Sequence, residues 1–211
     1  MLTATIRLQA LHAISLAASS EETRYYLRGV LLEIEPRAVN YVATDGHCLA
    51  AYHHGLETDT PDNTLLGNFI VPNTHCRPFK FTPRALASDP RATLSSDTGV
   101  GLTFDYDNAG VRFAPIDGAY PDWRRIVPRT IESAGEPAQF NPDYLVGFKK
   151  IGELMDAGTV PLVSHNGGSP ALITWQSDTV DLFGVLMPIR TDEPALRRPA
   201  WVERQEIAAA A

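Results

Sequence analysis

Cysteine is scarce in this chain, and its placement excludes two kinds of scaffold. Only Cys48 and Cys76 occur among the 211 residues, and they form no CxxC pair. Neither a structural zinc site nor a disulfide framework is therefore predicted. His53, His54 and His75 follow no regular spacing and have no accompanying carboxylate pattern. We therefore predict no bound metal and no cofactor.

Long apolar runs and an excess of positive charge are also missing. No window approaches the roughly 18 consecutive apolar residues of a membrane span, and no basic region at the start leads into an apolar run with a cleavage site. These absences predict a cytoplasmic protein that does not bind membranes. The net charge of −7 and pI near 5.3 exclude a surface that is basic throughout, although a local basic stripe remains compatible with them.

Signatures of catalysis are equally sparse. The sequence has no glycine-rich phosphate loop, and Gly167 and Gly168 fall in a predicted hairpin. His47 lies near Asp45 and Cys48, but neighbours on one turn lack the convergent geometry of a nucleophile and its base. We predict that the chain is not an enzyme.

The strongest local signal is a hairpin at residues 41–51, YVATDGHCLAA. An Asp-Gly pair between two apolar runs favours a tight turn between antiparallel strands. The turn places His47 and Cys48 at the mouth of the hairpin, a position that suits a binding surface.

Around this hairpin, one pattern of strand, helix and three strands occurs three times. The first copy has a strand at 3–7, a helix at 8–18 and strands at 25–35, 38–43 and 48–53. The second has a strand at 68–72, a poor helical signal at 74–87 because of Pro78 and Pro83, and strands at 91–95, 100–106 and 110–115. The third has a strand at 138–141, a helix at 142–155 and strands at 161–164, 171–176 and 180–187. This repetition predicts an α+β protein built from β-α-β-β-β units, with antiparallel sheets and helices on one face.

Four sequence motifs together resemble the bacterial DNA polymerase III beta subunit, the sliding clamp of replication. RYYLRGVLLE (24–33) followed by VATDGHCLA (42–50) is similar to that family's middle domain, and YPDWRRIVP (120–128) to the connector after it. FNPDYL (140–145) and VLMPIR (185–190) resemble parts of the last domain. The motifs occur in family order, so the resemblance covers most of residues 1–190.

The resemblance implies a domain organisation that is shorter than the family's. Residues 1–128 correspond to a clamp domain of two units, residues 129–190 to a single half-domain unit from the end of the last domain, and residues 191–211 to a tail that we predict to be flexible. The first domain and the front half of the last have no counterpart. Because the family closes a ring of twelve units, three units per chain close a ring only as a tetramer.

The resemblance also implies a groove that captures short linear motifs of polymerase and clamp-loader subunits. Carried over by position, its residues are Leu27, Thr44, Gly46, His47, Cys48, Leu49, Pro121, Arg125, Ile126, Val185, Leu186, Met187, Pro188 and Ile189. Aliphatic and methionine walls with a few polar groups suit peptide anchors. Cys48 departs from the arginine usual in the family. The alternative is that Leu27, Leu49, Val185 and Leu186 are ordinary core.

A DNA-facing surface is the second site that the resemblance implies. Its candidates are cations with neighbouring tyrosines, which suit nonspecific phosphate contact and base stacking on double-stranded DNA: Arg24, Tyr25, Tyr26, Arg7, Lys149 and Lys150. A strand with one buried and one exposed tyrosine, and a solvated helix face, explain the same residues equally well.

These expectations lead to one hypothesis and two rivals. The hypothesis is a sliding-clamp-like processivity factor, a homo-oligomer that tethers peptide-motif partners to DNA. The first rival is a clamp mimic that does not slide and instead sequesters or regulates clamp-binding proteins. The second is a fold relative that has lost both activities.

Overall fold

Two antiparallel sheets form the framework of the protein in a computed structural model, which describes residues 1–56, 63–77, 79, 88–96, 101–131 and 138–189. A four-stranded sheet has the order β1-β6-β7-β8, and a seven-stranded sheet has the order β5-β2-β3-β4-β11-β10-β9. The strands are β1 Leu2–Arg7, β2 Gly29–Glu35, β3 Ala38–Thr44, β4 Cys48–Gly55, β5 Gly67–Pro72, β6 Arg91–Ser96, β7 Leu102–Tyr106, β8 Ala109–Phe113, β9 Leu162–Asn166, β10 Ser169–Thr174 and β11 Asp181–Leu186. This arrangement confirms the predicted α+β class.

The first two units exchange their opening strands. β1, from the first unit, pairs with β6 of the second from Leu2↔Ser96 to Arg7↔Arg91. In return, β5 from the second unit pairs with β2 of the first. Each sheet is therefore completed by a strand from the other unit, and the two units form one body.

Helices cover one face of the seven-stranded sheet. α1 (Leu8–Ile14) follows β1 and runs into a 3-10 turn, Ser15–Ala17, so that the predicted helix at 8–18 is confirmed in two pieces. α2 (Pro142–Leu154) begins with Asn141 accepting a hydrogen bond from the Asp143 backbone, as an N-cap does. Both helices bury apolar side chains in the large core on this face. The predicted helix at 74–87 lies mostly outside the described residues, which show only the 3-10 turn Asn73–His75.

The predicted strand at 25–35 is wrong in its first part. Glu22–Leu27 forms 3-10 turns, and β2 begins only at Gly29. The Arg28 backbone N–H donates to the Tyr25 carbonyl, which closes the turn. Local contacts thus satisfy the backbone before the strand starts. Tyr25 and Tyr26 therefore do not alternate across a sheet. The predicted strand at 138–141 is reduced to one bridge between Gln139 and Ile189.

The third unit is joined to the first through the sheet itself. β11 pairs with β4 from Asp181↔His53 to Leu186↔Cys48, so the sheet continues across the predicted division at residues 128 and 129. On the helix face, α1 packs against α2, and the Gln9 side-chain amide donates a hydrogen bond to the Leu154 carbonyl. The predicted flexible tail, 191–211, lies outside the described residues.

Candidate functional site

The turn between β3 and β4 is a compact polar loop. Asp45 Oδ1 accepts hydrogen bonds from the backbone N–H groups of His47 and Cys48, each at 2.8 Å. Thr44 Oγ1 accepts one from Gly46 N. Gly46 has φ of +93°, a left-handed conformation that glycine adopts without steric cost. The Asp-Gly signal was thus a correct guide to the hairpin, and the Asp45 carboxylate is committed to holding it.

The strand β11 continues past its last paired residue to reach this turn. Met187 N donates to the His47 carbonyl at 2.9 Å, and Ile189 N donates to the Gln139 carbonyl at 2.7 Å. Segments that lie some 140 positions apart in sequence therefore meet side by side. We call this junction of β4, β11 and the β3–β4 turn the seam.

The predicted groove residues divide into a buried set and an exposed set. Buried members, all at 8% exposure or less, are Leu27, Thr44, Cys48, Leu49, Val185 and Leu186. Exposed members are Gly46, His47, Pro121, Arg125, Ile126, Met187 and Ile189, and Pro188 is half-buried. Leu27 ends the 3-10 turns before β2, and the other buried members lie on β3, β4 and β11; burial of all six is what the core alternative expected. Only the exposed set presents side chains to a partner without rearrangement.

The connector, residues 117–128, lies across the other face of the seven-stranded sheet. It contains the 3-10 turn Trp123–Ile126. The Tyr120 hydroxyl reaches the Val42 carbonyl at 3.4 Å, and the Trp123 ring lies 6.2 Å from that of Phe183 on β11. These contacts extend the connector from β3 to β11. Pro121, Arg125 and Ile126 thereby belong to the segment that borders the seam.

A buried carboxylate fastens the connector to the sheet. Glu33 on β2 accepts two hydrogen bonds from Arg124, at 2.9 and 2.7 Å, and one each from Trp123 and Asn40. The Arg124 guanidinium also lies over the Trp123 ring at 4.2 Å. Burial favours the neutral acid, but the hydrogen bonds from Arg124 and Trp123 outweigh it and hold the pKa of Glu33 below its usual range. We call these hydrogen bonds from Arg124 and Trp123 to Glu33 the latch. Sequence reasoning missed the latch, because residues 33 and 124 lie far apart in sequence and share no local pattern.

Tyr144 is a second residue that sequence reasoning missed. It lies on the first turn of α2, half-buried, with its hydroxyl beside the Asp45 carboxylate. Burial and the hydrogen bond to Asp45 raise the pKa of Tyr144. It thus adds a neutral aromatic side chain to the seam. The motif FNPDYL had drawn attention to this segment without assigning Tyr144 a role.

The predicted DNA-contact residues lie in unlike environments. Arg24 donates to the Asp45 carbonyl at 3.0 Å and lies 3.4 Å from Glu21, so it braces the hairpin turn. Arg7 pairs with Asp89 at 2.7 Å and also bonds the Tyr52 hydroxyl. Both guanidinium groups already have partners.

The remaining candidates are more accessible. Tyr25 is exposed, and Tyr26 is half-buried against Gly118 at the start of the connector. Lys149 and Lys150 are exposed on α2, with Lys149 3.7 Å from Glu153. The structure therefore groups the tyrosines with the connector and the lysines with the helix face.

The groups considered for catalysis and metal binding have other contacts in the structure. Burial raises the pKa of the Cys48 thiol, which keeps it protonated. His53 bonds Asn40, His54 stacks on Tyr52 and His75 stacks on Phe113. Within the described ranges, no group of three His, Cys, Asp or Glu side chains is placed to hold a metal ion. The same ranges contain no helix long and apolar enough to cross a membrane.

One open groove lies beside the connector and differs from the predicted groove. A groove of about 790 Å³ lies between the connector and strands β2 and β5, beside Glu33, Ile70 and Trp123. Of the predicted groove residues it includes Pro121 alone.

Solved structures with this fold include bacterial DNA polymerase sliding clamps. The DNA polymerase III beta chain of Streptococcus pneumoniae superposes with a TM-score of 0.72 at 16% identity, covering 90% of this chain and 65% of that one. The sliding clamp of Bacillus subtilis gives 0.68 at 18% identity, covering 90% and 64%. A DnaN sliding clamp from Bartonella birtlesii, solved bound to griselimycin, gives 0.66 at 18%, covering 90% and 66%. At these identities the likeness establishes the clamp fold.

Sequence comparison supplies the family. The profile of the DNA polymerase III beta subunit central domain matches residues 3–122, more than half of the chain. The chain belongs to the DNA polymerase III beta subunit family, as the four motifs predicted. The beta sliding clamp of Synechococcus elongatus is 28% identical over 150 residues, which covers 71% of this chain and 37% of the relative. That of Caulobacter vibrioides is 32% identical over 125 residues, covering 54% and 30%. The sequence match thus covers about a third of the length of these relatives.

Proposed function

We propose that this protein is a sliding-clamp-like processivity factor. It captures short peptide motifs at the seam and tethers the proteins that carry these motifs to DNA. The observation that carries the proposal is the direct pairing of β4 with β11. This pairing brings His47 of the first unit against Met187 of the third, although the sequence match covers only about a third of the length of the relatives. In this proposal the protein binds and does not catalyse, and it works in the cytoplasm without a metal or cofactor.

The peptide partner meets a rim of mixed chemistry. Ile126, Met187 and Ile189 are each at least 40% exposed, so their apolar side chains are available to contact a partner. Met187 is unbranched and adapts to different anchor side chains. The exposed His47 and the half-buried Tyr144 offer polar groups beside these apolar ones, which fixes the register of a bound peptide.

A peptide titration tests the groove. A fluorescent peptide carrying a clamp-binding motif from a polymerase subunit should bind, and Met187→Ala should weaken binding about tenfold or more, as loss of an interface anchor does. Leu66→Ala is the matched control, because Leu66 is a similarly exposed apolar residue away from the seam. Griselimycin, seen with the Bartonella clamp, serves as a second probe. Absence of binding by wild-type protein, or equal affinities for both variants, contradicts the groove.

Tethering to DNA requires a closed ring, and three units per chain close one only as a tetramer. The cations available for DNA contact in this proposal are Lys149 and Lys150, since Arg7 and Arg24 are already engaged. A ring should stay on nicked circular DNA and slide off after linearisation, in low salt. Equal retention on the two forms rules out sliding.

Arg7 and Arg24 already have partners within the protein, and the chain carries a net charge of −7. Both observations favour the clamp mimic as the second candidate. A mimic binds the same peptides and competes with a full-length clamp for a polymerase, yet shows no topology-dependent retention on DNA. The peptide and DNA experiments together therefore separate the two functions.

A further inference from the structure

The groove between the connector and strands β2 and β5, which we call the connector groove, has room for a short peptide segment. Its volume of about 790 Å³ lies within the range of about 300–1,000 Å³ that is usual for ligand sites. Its lining includes Leu31 and Ile70, each 4% exposed, and the small residues Gly118 and Ala119. The connector groove therefore offers an apolar surface beside a wall of small residues.

The lining of the connector groove carries an excess of negative charge. Among the described residues it includes three carboxylates and one guanidinium, those of Glu33, Asp117, Asp122 and Arg124. Glu33 and Arg124 bond each other in the latch, so their charges offset, whereas Asp117 and Asp122 are exposed. The hydrogen bond to Glu33 raises the pKa of Arg124, and the neighbouring Glu35 and Asp122 carboxylates raise it further. Carboxylates therefore dominate the field around this groove.

The connector groove adjoins the seam. Pro121 belongs to its lining and also to the connector segment that borders the seam. The neighbouring Tyr120 lines the groove as well, and its hydroxyl reaches the Val42 carbonyl at 3.4 Å. Val42 lies on β3, the strand that leads into the β3–β4 turn. A peptide held at the seam therefore enters the groove if it continues past Pro121.

We propose that the connector groove holds a lysine- or arginine-bearing segment of the partner, next to the motif captured at the seam. This inference rests on the proposed function and adds the chemistry of the partner to it. The aliphatic stems of such side chains pack on Leu31 and Ile70, while their charged ends meet Asp117 and Asp122. Nucleic acid and acidic peptides carry the wrong charge for this groove. Charge complementarity of this kind selects partners and speeds their association.

Peptide extension tests the proposal on the full chain. A fluorescent clamp-binding motif extended by two lysines, at one end or the other, is compared with the same motif extended by two alanines. In low salt, a lysine peptide should bind about fivefold more tightly than its alanine counterpart, as two exposed ion pairs predict. The preference should shrink in about 1 M salt, where charges are screened beyond about 3 Å.

Charge changes in the groove test where the lysines bind. Asp117→Asn combined with Asp122→Asn should abolish the lysine preference. Asp117→Lys combined with Asp122→Lys should reverse it, so that a motif extended by two glutamates binds more tightly than the lysine peptide. The matched control, Asp107→Asn combined with Asp178→Asn, removes the same charge from exposed positions between strands and should retain the preference. Circular dichroism and thermal unfolding confirm that the variants fold.

Four results overturn the proposal, and each has a different meaning. Motif binding without a lysine preference shows that the seam works and the groove holds no basic segment. Loss of the preference in the control variant shows that the net charge of the chain attracts the lysines. A preference that emerges only after removal of residues 191–211 shows that Arg197 and Arg198 of the chain itself compete for the groove. A wild type that binds none of the peptides contradicts the proposed function and, with it, the groove.

Discussion

The two faces of the seven-stranded sheet are covered in different ways. On one face, α1 and α2 pack through a large apolar core that includes Phe148, Ile151 and Leu186. On the other, the connector covers a small cluster, with Leu31, Leu49 and Val185 among its buried members. The helix face relies on a large buried area, whereas the connector face combines a small apolar cluster with the hydrogen bonds at Glu33.

This difference assigns the two faces different tasks. Burial of regular helices stabilises through many non-directional contacts, so the helix face fixes the fold. A short segment can be held in place by directional hydrogen bonds with little buried area. On the connector face, these bonds therefore fix the position of the connector. Because Pro121, Arg125 and Ile126 lie on the connector, the latch determines where those residues sit relative to the seam.

The largest loss of stability is expected from a cavity in the core beneath the helices. Phe148 is 2% exposed, and its ring lies against Gly184, where an added Cβ would approach to 2.3 Å. Phe148→Ala should lower the free energy of unfolding by about 3–5 kcal/mol, because it leaves a cavity in the core. Urea denaturation measures the change, and Lys150→Ala on the exposed side of α2 is the control. A loss below about 1 kcal/mol would show that this face is not the main source of stability.

A smaller effect is expected from breaking the latch. Arg124→Ala should lower the free energy of unfolding by about 1 kcal/mol, since the guanidinium is half exposed and water screens the pair. It should also weaken peptide binding at the seam, because the connector loses its anchor. Arg125→Lys keeps the charge of the neighbouring, exposed residue and should leave stability unchanged. If peptide affinity is the same in Arg124→Ala and wild type, the connector is positioned by other contacts.

The smallest effect is a pH dependence that originates at the latch. The bonds from Arg124 and Trp123 lower the pKa of Glu33 in the folded state, and unfolding removes them. The stabilisation is therefore present above the ordinary carboxyl pKa and is lost as pH falls through the lower, folded value. The gap in unfolding free energy between wild type and Glu33→Gln should narrow between neutral pH and about pH 3. A gap that stays constant over this range would mean that Glu33 does not titrate as the latch requires.

Local patterns in the sequence predicted much of the fold. The Asp-Gly turn predicted the β3–β4 hairpin, and the Asn-Pro-Asp start predicted α2, because both signals lie within a few residues of the structure they specify. The same reasoning failed at Glu22–Leu27, which forms 3-10 turns and not the predicted strand. There Arg24 bonds the Asp45 carbonyl, 21 residues away, and a tertiary contact of this kind leaves no periodicity to detect.

The site was less accessible to sequence reasoning than the fold. The family resemblance assigned both Leu49 and Met187 to the peptide groove, yet Leu49 is fully buried and Met187 is exposed. Their difference depends on which side of the sheet each faces and on what covers that side, the connector in the case of Leu49. Likewise, the Glu33 latch joins residues 91 positions apart, a pairing that a single sequence does not encode in any local pattern.

The exchange of opening strands between the first two units has a consequence for synthesis on the ribosome. Strands β2, β3 and β4 follow one another within residues 29–55, but their sheet gains its edge strand β5 only when Gly67–Pro72 has emerged. β1 has no sheet partner until Arg91–Ser96 follows. β1 is thus translated well before the strand with which it pairs. In the nascent chain, it lacks that sheet partner while residues 8–90 are translated.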